Sequence, residues 1–195
     1  MLKQEFLFPT QIYYKDNSNN LLNLELEKNI LKWSQEDKGL QRTNVNGWHS
    51  PTDMHGRKEY NEIFEFLLKM QNEIYIEENL KDDPIIGNMW ANINKPGGYN
   101  RPHIHPNSVW SGVYYVKTPK NCGHLRFADP KYMSLMVQPE YTKDRKFYQR
   151  REVFYEAVAG RCFMFPSWLV HSVEENKSDE LRISISFNFL RKRFL

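Results

Sequence analysis

Cysteine is scarce in this sequence, with only Cys122 and Cys162 among 195 residues. Two thiols are too few for the disulfide framework that stabilises small secreted domains. The sequence also lacks a signal-peptide pattern and an apolar run long enough to span a bilayer. These absences predict two reduced thiols in a cytoplasmic protein without a membrane partner.

An excess of charge of either sign is also missing. The formal net charge is +3, and the basic residues are scattered except for Arg-Lys-Arg at residues 191–193. No nucleic-acid partner is expected from so weak a charge. Aromatic residues make up 14% of the chain, which argues against disorder. Since no repeat or linker interrupts the sequence, we expect one domain of residues 1–195. Its oligomeric state is left open, a homodimer included.

Apolar residues recur at helical spacing in two segments of the N-terminal part. A short strand at residues 3–14 is followed by an apolar stripe over residues 21–33, with Asn20 as the expected N-cap. A second stripe predicts a helix over residues 59–80. This helix is expected to end at Asp-Asp-Pro, residues 82–84, because the residue before proline disfavours helical geometry.

Short β-prone runs separated by Gly, Pro and Asn begin after residue 85. Eight such strands are expected, at about residues 86–94, 100–105, 108–117, 123–128, 152–158, 161–166, 169–175 and 181–190. Their number and spacing predict a sandwich or jelly-roll barrel over residues 86–195. The helical part, residues 1–85, is expected to cover one of its sheets.

Two histidines one residue apart, His103 and His105, precede an apolar strand-like run. In a strand, residues i and i+2 point to the same side, so both imidazoles can be aimed at one point. His171 lies on another strand-like segment, and Arg182 follows it by eleven residues. Each histidine taken alone is more often a structural or surface residue. Together they favour a metal site, because neutral imidazole binds first-row divalent metals well.

This arrangement resembles the double-stranded β-helix oxygenases that use Fe(II) and 2-oxoglutarate. Their usual pattern is His-x-Asp/Glu, a distal His, and an Arg or Lys about ten residues later. More narrowly, residues 88–189 resemble a family of such oxygenases found in bacteria and their phages. The phrases that carry this resemblance are Ser-Gly-Val-Tyr-Tyr-Val, Phe-Pro-Ser-Trp and Arg-Ile-Ser-Ile-Ser-Phe-Asn. The implied fold is mainly β, a cupin-like jelly roll with N-terminal helices packed on one sheet.

The resemblance also implies a site. Three histidines would bind Fe(II) and serve as the catalytic residues: His103, His105 and His171. By position, Arg182 would bind the distal carboxylate of 2-oxoglutarate, with Ser184 two residues on and Tyr115 as a second contact. The implied reaction consumes O2 and 2-oxoglutarate, releases succinate and CO2, and hydroxylates a peptidyl side chain or a small metabolite.

One position departs from the usual pattern. His105 stands where most of the wider superfamily has Asp or Glu, which would leave a three-histidine site with one negative charge fewer. Alternatively, His105 could support the other ligands without touching the metal. A site of this kind could also favour cupin-type chemistry without 2-oxoglutarate. A non-catalytic jelly-roll binding or structural protein is the competing interpretation of the whole chain.

Two connections are candidates for the substrate side of the site. The long segment 129–151 is expected to be a mobile lid near the barrel mouth, and its excess of Lys and Arg favours a polar or anionic substrate. The polar segment 35–56 is the second candidate. Its histidines, His49 and His55, are expected to be solvated, as is His124 at the end of a strand. Three tryptophans are assigned to the core: Trp90, Trp110 and Trp168.

Overall fold

The computed structural model describes residues 1–81, 85–137 and 139–191. The predicted helix stop at residues 82–84 and two residues of the basic cluster, 192 and 193, lie outside the described residues. In the part of the chain that the structure describes, no helix has both the length and the apolar character needed to cross a membrane.

Two helices form in the N-terminal part, α1 (Asn20–Glu36) and α2 (Asn61–Glu77). The side chain of Asn19 accepts hydrogen bonds from two backbone N–H groups of the first turn of α1. Asn19, and not the predicted Asn20, is therefore the N-cap. The predicted start of the second helix falls in a short 3₁₀ turn, Lys58–Tyr60. The second apolar stripe packs in the core, as predicted, whereas Leu21 and Leu24 of the first are exposed and only its other members contact the core.

Nine strands are found among the described residues: β1 (Tyr13–Asp16), β2 (Asn44–His49), β3 (Ile85–His103), β4 (Trp110–Lys117), β5 (His124–Ala128), β6 (Glu152–Glu156), β7 (Arg161–Pro166), β8 (His171–Val173) and β9 (Arg182–Leu190). They pair antiparallel in one curled sheet in the order β1-β7-β4-β9-β3-β8-β5-β6, with β2 added on β3. Seven of the eight predicted strand regions thus appear, within a few residues, as β3 to β9.

The remaining differences lie in β1, β2 and β3. The short strand predicted at residues 3–14 is found only at the end of that range, as β1. β3 runs as one strand through the predicted region 86–94 and into the predicted region 100–105, where it ends at His103. β2 falls in a segment that was expected to be a loop, and its pairing with β3 shifts register between Val45 and Gly47. This irregularity removes the alternation that identifies a strand. Gly47 permits the pairing, because a Cβ there would lie 2.6 Å from the carbonyl oxygen of Ile93.

The alternating residues of β9 separate the helical layer from the interior of the curled sheet. One face packs against core residues of α1 and α2 through four apolar side chains: Ile183, Ile185, Phe187 and Phe189. Each such burial stabilises the fold by about 1.5–3 kcal/mol. The other face carries Arg182, Ser184 and Asn188, all buried. The helices therefore cover one side of the sheet and leave a polar strand face inside it, as the sequence predicted.

Candidate metal centre

The three predicted histidines come together in the structure. His103 ends β3 and is the register partner of His171, which begins β8. His105 lies two residues beyond the end of β3. The ring centroids are 4.3 Å apart for His103 and His171, and 5.0 Å apart for both pairs that include His105. One ring nitrogen from each histidine lies within 4.8 Å of the other two.

The prediction that His105 belongs to a strand is wrong. Its backbone follows a loop, and its N–H donates to the carbonyl oxygen of Ser167 at 3.0 Å. The strand spacing of His103 and His105 therefore does not explain why the rings converge. The ring of His105 is placed by this backbone bond and by its side-chain contacts.

Hydrogen bonds at Nδ1 select one tautomer for all three rings. Nδ1 of His103 lies 2.7 Å from the carbonyl oxygen of Arg101, and Nδ1 of His171 lies 2.9 Å from that of Leu169. Nδ1 of His105 faces the side-chain Oδ1 of Asn188 at 2.5 Å. Because each partner is an acceptor, each Nδ1 carries the proton. The lone pair of each neutral ring is then on Nε2, which is free to bind a metal.

Burial keeps the three imidazoles neutral. Desolvation lowers the pKa of His105 to about 4, although the hydrogen bond that the ring donates to Asn188 raises it. Desolvation also lowers the pKa of His103 and lowers that of His171 well below its usual value. Neutral rings at neutral pH are the form that binds divalent metals. The donor set therefore fits a divalent transition metal.

Arg182 is buried, with 1% of its surface exposed, and its guanidinium group makes hydrogen bonds through only one of its three nitrogens. Its Nη1 donates to the carbonyl oxygens of Cys122 and Glu174. Its Nε and Nη2 are buried without a partner, as is the hydroxyl of Tyr115. Desolvation lowers the pKa of Arg182 and raises that of Tyr115, while each group's field favours the charged form of the other. Buried donors without partners are rare in folded proteins, so this pair is a candidate anion site.

A cavity of about 550 Å³ opens beside the histidines, within the usual range for small-molecule sites. All three histidines and Ser184 line it. Arg182 and Tyr115 are not among its lining residues, although Ser184 is the register partner of Tyr115. Among the described residues that line it, none is acidic and Arg42 carries the only formal charge.

The outer wall of the cavity comes from the segment 42–52, which contributes Arg42, Thr43, His49 and Thr52. No described residue of the segment 129–151 lines the cavity. The expectation that 129–151 covers the mouth is therefore not met, and the second candidate segment takes that place. Pairing of β2 with β3 explains this outcome, because it lays the 42–52 segment alongside the end of β3.

Several predictions about single residues need correction. His49 is not solvated: it is buried, its ring stacks on Trp90 with centroids 5.3 Å apart, and desolvation lowers its pKa. His55 is half-buried, whereas His124 is exposed as predicted. Trp110 is in the core. Two tryptophans are not: Trp90 lines the cavity, and Trp168 is 55% exposed.

Asn188 is the functional residue that sequence reasoning did not assign. The alternation of β9 places it on the same polar face as Arg182, so its position was predictable. Its hydrogen-bond partner could not be predicted, because His105 is 83 residues away in the sequence and lies in a loop. Sequence reasoning also missed Trp90 and Asn92 of β3, which line the cavity. The apolar side chains of β3 suggested that the whole strand belonged to the core.

Solved structures with the same fold were found over nearly the whole chain. A Pseudomonas putida prolyl-4-hydroxylase matches with a TM-score of 0.66 and 16% identity, covering 94% of each chain. A Trichoplax adhaerens prolyl hydroxylase, in complex with a hypoxia inducible factor peptide fragment, matches with a TM-score of 0.62 and 14% identity, covering 93% of this chain and 84% of that one.

The non-heme alpha ketoglutarate dependent epimerase SnoN from nogalamycin biosynthesis matches with a TM-score of 0.68 and 12% identity, covering 93% of this chain and 77% of that one. These likenesses establish the double-stranded β-helix fold. No curated protein matches the sequence.

The sequence itself identifies the family. Residues 88–188, just over half of the chain, match the family described as "Putative 2OG-Fe(II) oxygenase". The matched region contains all three histidines, Tyr115 and Arg182. Enzymes of this family use Fe(II), 2-oxoglutarate and O2, and the alternative of a non-catalytic jelly roll is not favoured. The chain belongs to the 2-oxoglutarate and Fe(II) dependent oxygenases.

Proposed function

We propose that this oxygenase is a hydroxylase in which one group of side chains binds the metal and another binds the cosubstrate. Three would hold Fe(II): His103, His105 and His171. Three would hold 2-oxoglutarate: Arg182, Tyr115 and Ser184. When bound, Fe(II) and 2-oxoglutarate together activate O2 for insertion into a C–H bond of the substrate, with release of succinate and CO2. The protein's part is to fix these components and to exclude water.

The observation that carries this proposal is the unused edge of the Arg182 guanidinium. Nη1 is occupied by the carbonyl oxygens of Cys122 and Glu174, so it orients the group. Nε and Nη2 lie side by side on one edge of a guanidinium, and both are buried without a partner. Two parallel N–H donors match the two oxygens of a carboxylate. The unpartnered hydroxyl of Tyr115 supplies a third donor.

The histidines support the metal half of the proposal. Three neutral imidazoles with free Nε2 atoms form a set that leaves positions for a bidentate cosubstrate and for O2. None of the described cavity-lining residues is acidic, so the protein adds no negative charge to the metal. The carboxylates of 2-oxoglutarate would then supply the negative charge, one at the metal and one at Arg182.

The substrate is proposed to be a polar or anionic peptidyl side chain or small metabolite. Arg42, Thr43 and Thr52 make the outer wall of the cavity polar. The buried Oδ1 of Asn92, which lines the cavity, has no hydrogen-bond partner and can accept one from a substrate N–H or O–H. We further propose that residues 1–195 act as one domain, since α1 and α2 share a core with β3, β4 and β9.

The test is a titration of the purified protein with Fe(II) and 2-oxoglutarate under anaerobic conditions. The expected result is a weak visible charge-transfer band that saturates near one equivalent of each. The same titration of Arg182→Ala should show no band at 2-oxoglutarate concentrations that saturate the wild-type protein. A wild-type protein that binds Fe(II) but gives no band would contradict the assigned role of Arg182 and favour chemistry without 2-oxoglutarate.

A further inference from the structure

Asn188 is at the centre of a buried hydrogen-bond network next to His105. Its side chain is 6% exposed. Its Oδ1 lies 2.5 Å from Nδ1 of His105 and accepts a hydrogen bond from the Ser111 hydroxyl at 2.7 Å. Its Nδ2 donates to Oδ1 of Asn88 at 2.6 Å. Each polar atom of this amide therefore has a defined partner.

His105 depends on a side chain in a way that the other two histidines do not. The Nδ1 atoms of His103 and His171 contact backbone carbonyl oxygens of their own segments, two residues away. The local backbone conformation therefore supplies these two acceptors. His105 lies in a loop, and its acceptor comes from β9, the strand held by the helical core. The orientation of the His105 ring is thus tied to a strand whose opposite face is packed in the core.

We propose that Asn188 is a positioning residue for the metal centre, and that Ser111 and Asn88 hold it in place. The proposal rests on the assignment of His105 as a metal ligand. By accepting the Nδ1 proton, Asn188 keeps the Nε2 lone pair directed at the metal. If the amide presented its NH2 group instead, His105 would carry its proton on Nε2 and could not bind.

The choice of an amide also affects the charge of the centre. Metal-binding histidines are commonly supported by carboxylates, which raise the basicity of the ring. Asn188 provides an acceptor of the same shape without charge. His105 and Asn188 together therefore replace the usual carboxylate ligand by a wholly neutral pair. Asn188→Asp should strengthen the imidazole donor: one carboxylate oxygen accepts from Nδ1 of His105, and the Asn88 amide, which in the wild type accepts from Nδ2 of Asn188, turns so that its NH2 donates to the other.

Binding of Co(II), followed by its visible spectrum and by competition with a chelator, tests the proposal. Asn188→Ala is expected to weaken Co(II) binding by about 10- to 100-fold, the usual effect of losing a partner of a metal ligand. Asn188→Asp should bind Co(II) at least as tightly as the wild-type protein. Asn88→Ala is the matched control, because it removes one contact of Asn188 without touching His105, and it should cost less than Asn188→Ala.

His105→Ala separates this proposal from the one on which it rests. If Co(II) binding is unchanged in His105→Ala, then His105 is not a ligand and the proposed metal set is wrong. If His105→Ala binds weakly but Asn188→Ala binds like the wild type, then the ligand assignment stands and the role of Asn188 is overturned. Asn188→Asp binding as weakly as Asn188→Ala would overturn it as well.

A measurement on the wild-type protein covers the case in which Asn188→Ala fails to fold. The zinc-loaded protein, labelled with 15N, should show the His105 ring with its proton on Nδ1 in long-range 15N–1H spectra. That proton should exchange more slowly with water than that of an exposed ring, because its bond to Asn188 is partly buried. A His105 ring protonated on Nε2, or an Nδ1 proton that exchanges as fast as that of exposed His124, would overturn the proposal.

Discussion

His103 and His171 face each other across β3 and β8, with their ring centroids 4.3 Å apart. Pairing of the two strands places these imidazoles together. His105 joins them through a loop and through Asn188. The proposed centre therefore has two candidate ligands placed by the sheet and a third placed by a loop and a side-chain network.

The first prediction concerns His171. The substitution His171→Ala removes a ring that is 5% exposed, and no other described group at the site can replace it. Divalent metal retained after dialysis should fall to less than about a tenth of the wild-type amount. Metal analysis measures this, with His124→Ala as the control because His124 is exposed and its Nδ1 is hydrogen-bonded to Glu174. Full retention in His171→Ala would remove it from the ligand set.

The second prediction concerns the cosubstrate. Arg182→Ala should weaken 2-oxoglutarate binding by about 3–5 kcal/mol, the scale for leaving one partner of a buried charged pair alone. Metal binding should persist, since the hydrogen bonds of Arg182 go to the carbonyl oxygens of Cys122 and Glu174 and not to a candidate ligand. Calorimetric titration of the metal-loaded protein gives both values.

Two variants control for this experiment. Tyr115→Phe removes one donor and keeps the core packing, so it should weaken 2-oxoglutarate binding by about 1 kcal/mol. Arg42→Ala removes a guanidinium from the cavity mouth and should leave 2-oxoglutarate affinity unchanged. Equal losses of 2-oxoglutarate affinity in Arg42→Ala and Arg182→Ala would show that binding depends on positive charge in general and not on the two buried N–H donors of Arg182.

Much of this site could be predicted from the sequence because it lies on strands with regular alternation. The polar face of β9 is visible in the sequence because polar residues occupy every second position: Arg182, Ser184, Ser186 and Asn188. His171 also lies on a strand, as expected. The apolar stripes of α1 and α2 likewise indicated the layer that supports β9. These features depend on local periodicity, which a sequence displays directly.

The parts that could not be predicted depend on contacts between distant residues. His105 lies outside its expected strand, and its bond to Asn188 spans 83 residues. β2 has an irregular register, so its pairing with β3 leaves no alternating pattern. That pairing brings Arg42 and His49 to the cavity. The length and charge of residues 129–151 suggested a lid, but neither property encodes where a loop packs.

The third prediction concerns pH. Four histidines have a pKa that burial lowers in the folded protein: His49, His103, His105 and His171. Their pKa in the unfolded chain is about 6.5, so below that pH the unfolded chain binds more protons. The metal-free protein should therefore lose stability as the pH falls below about 6.5. The loss from a fully buried ring such as His171 is about 1.4 kcal/mol per pH unit. For His105 the loss should end near pH 4, where the folded ring also becomes protonated.

Urea unfolding of the metal-free protein at pH 7, 6 and 5 measures this dependence. His49→Gln provides the matched control, because it removes one buried ring that is not a proposed ligand. Its free energy of unfolding should depend less steeply on pH than that of the wild type. A free energy of unfolding that is constant from pH 7 to pH 5 would mean that the four rings are not held neutral by the fold.

The last prediction concerns the substrate side of the cavity. Arg42 carries the only formal charge among the described lining residues, and no described residue of 129–151 reaches the cavity. We therefore expect small carboxylates or phosphate esters, more than their neutral amides, to stimulate succinate formation by the wild-type enzyme. Arg42→Glu should remove that stimulation and leave the slow, substrate-independent turnover of 2-oxoglutarate within about twofold of wild type, because Arg182 is untouched. Replacing residues 132–149 by a short Gly-Ser linker should preserve the stimulation. If the linker variant lost it and Arg42→Glu kept it, the substrate would be selected by the 129–151 segment and not by the 42–52 wall.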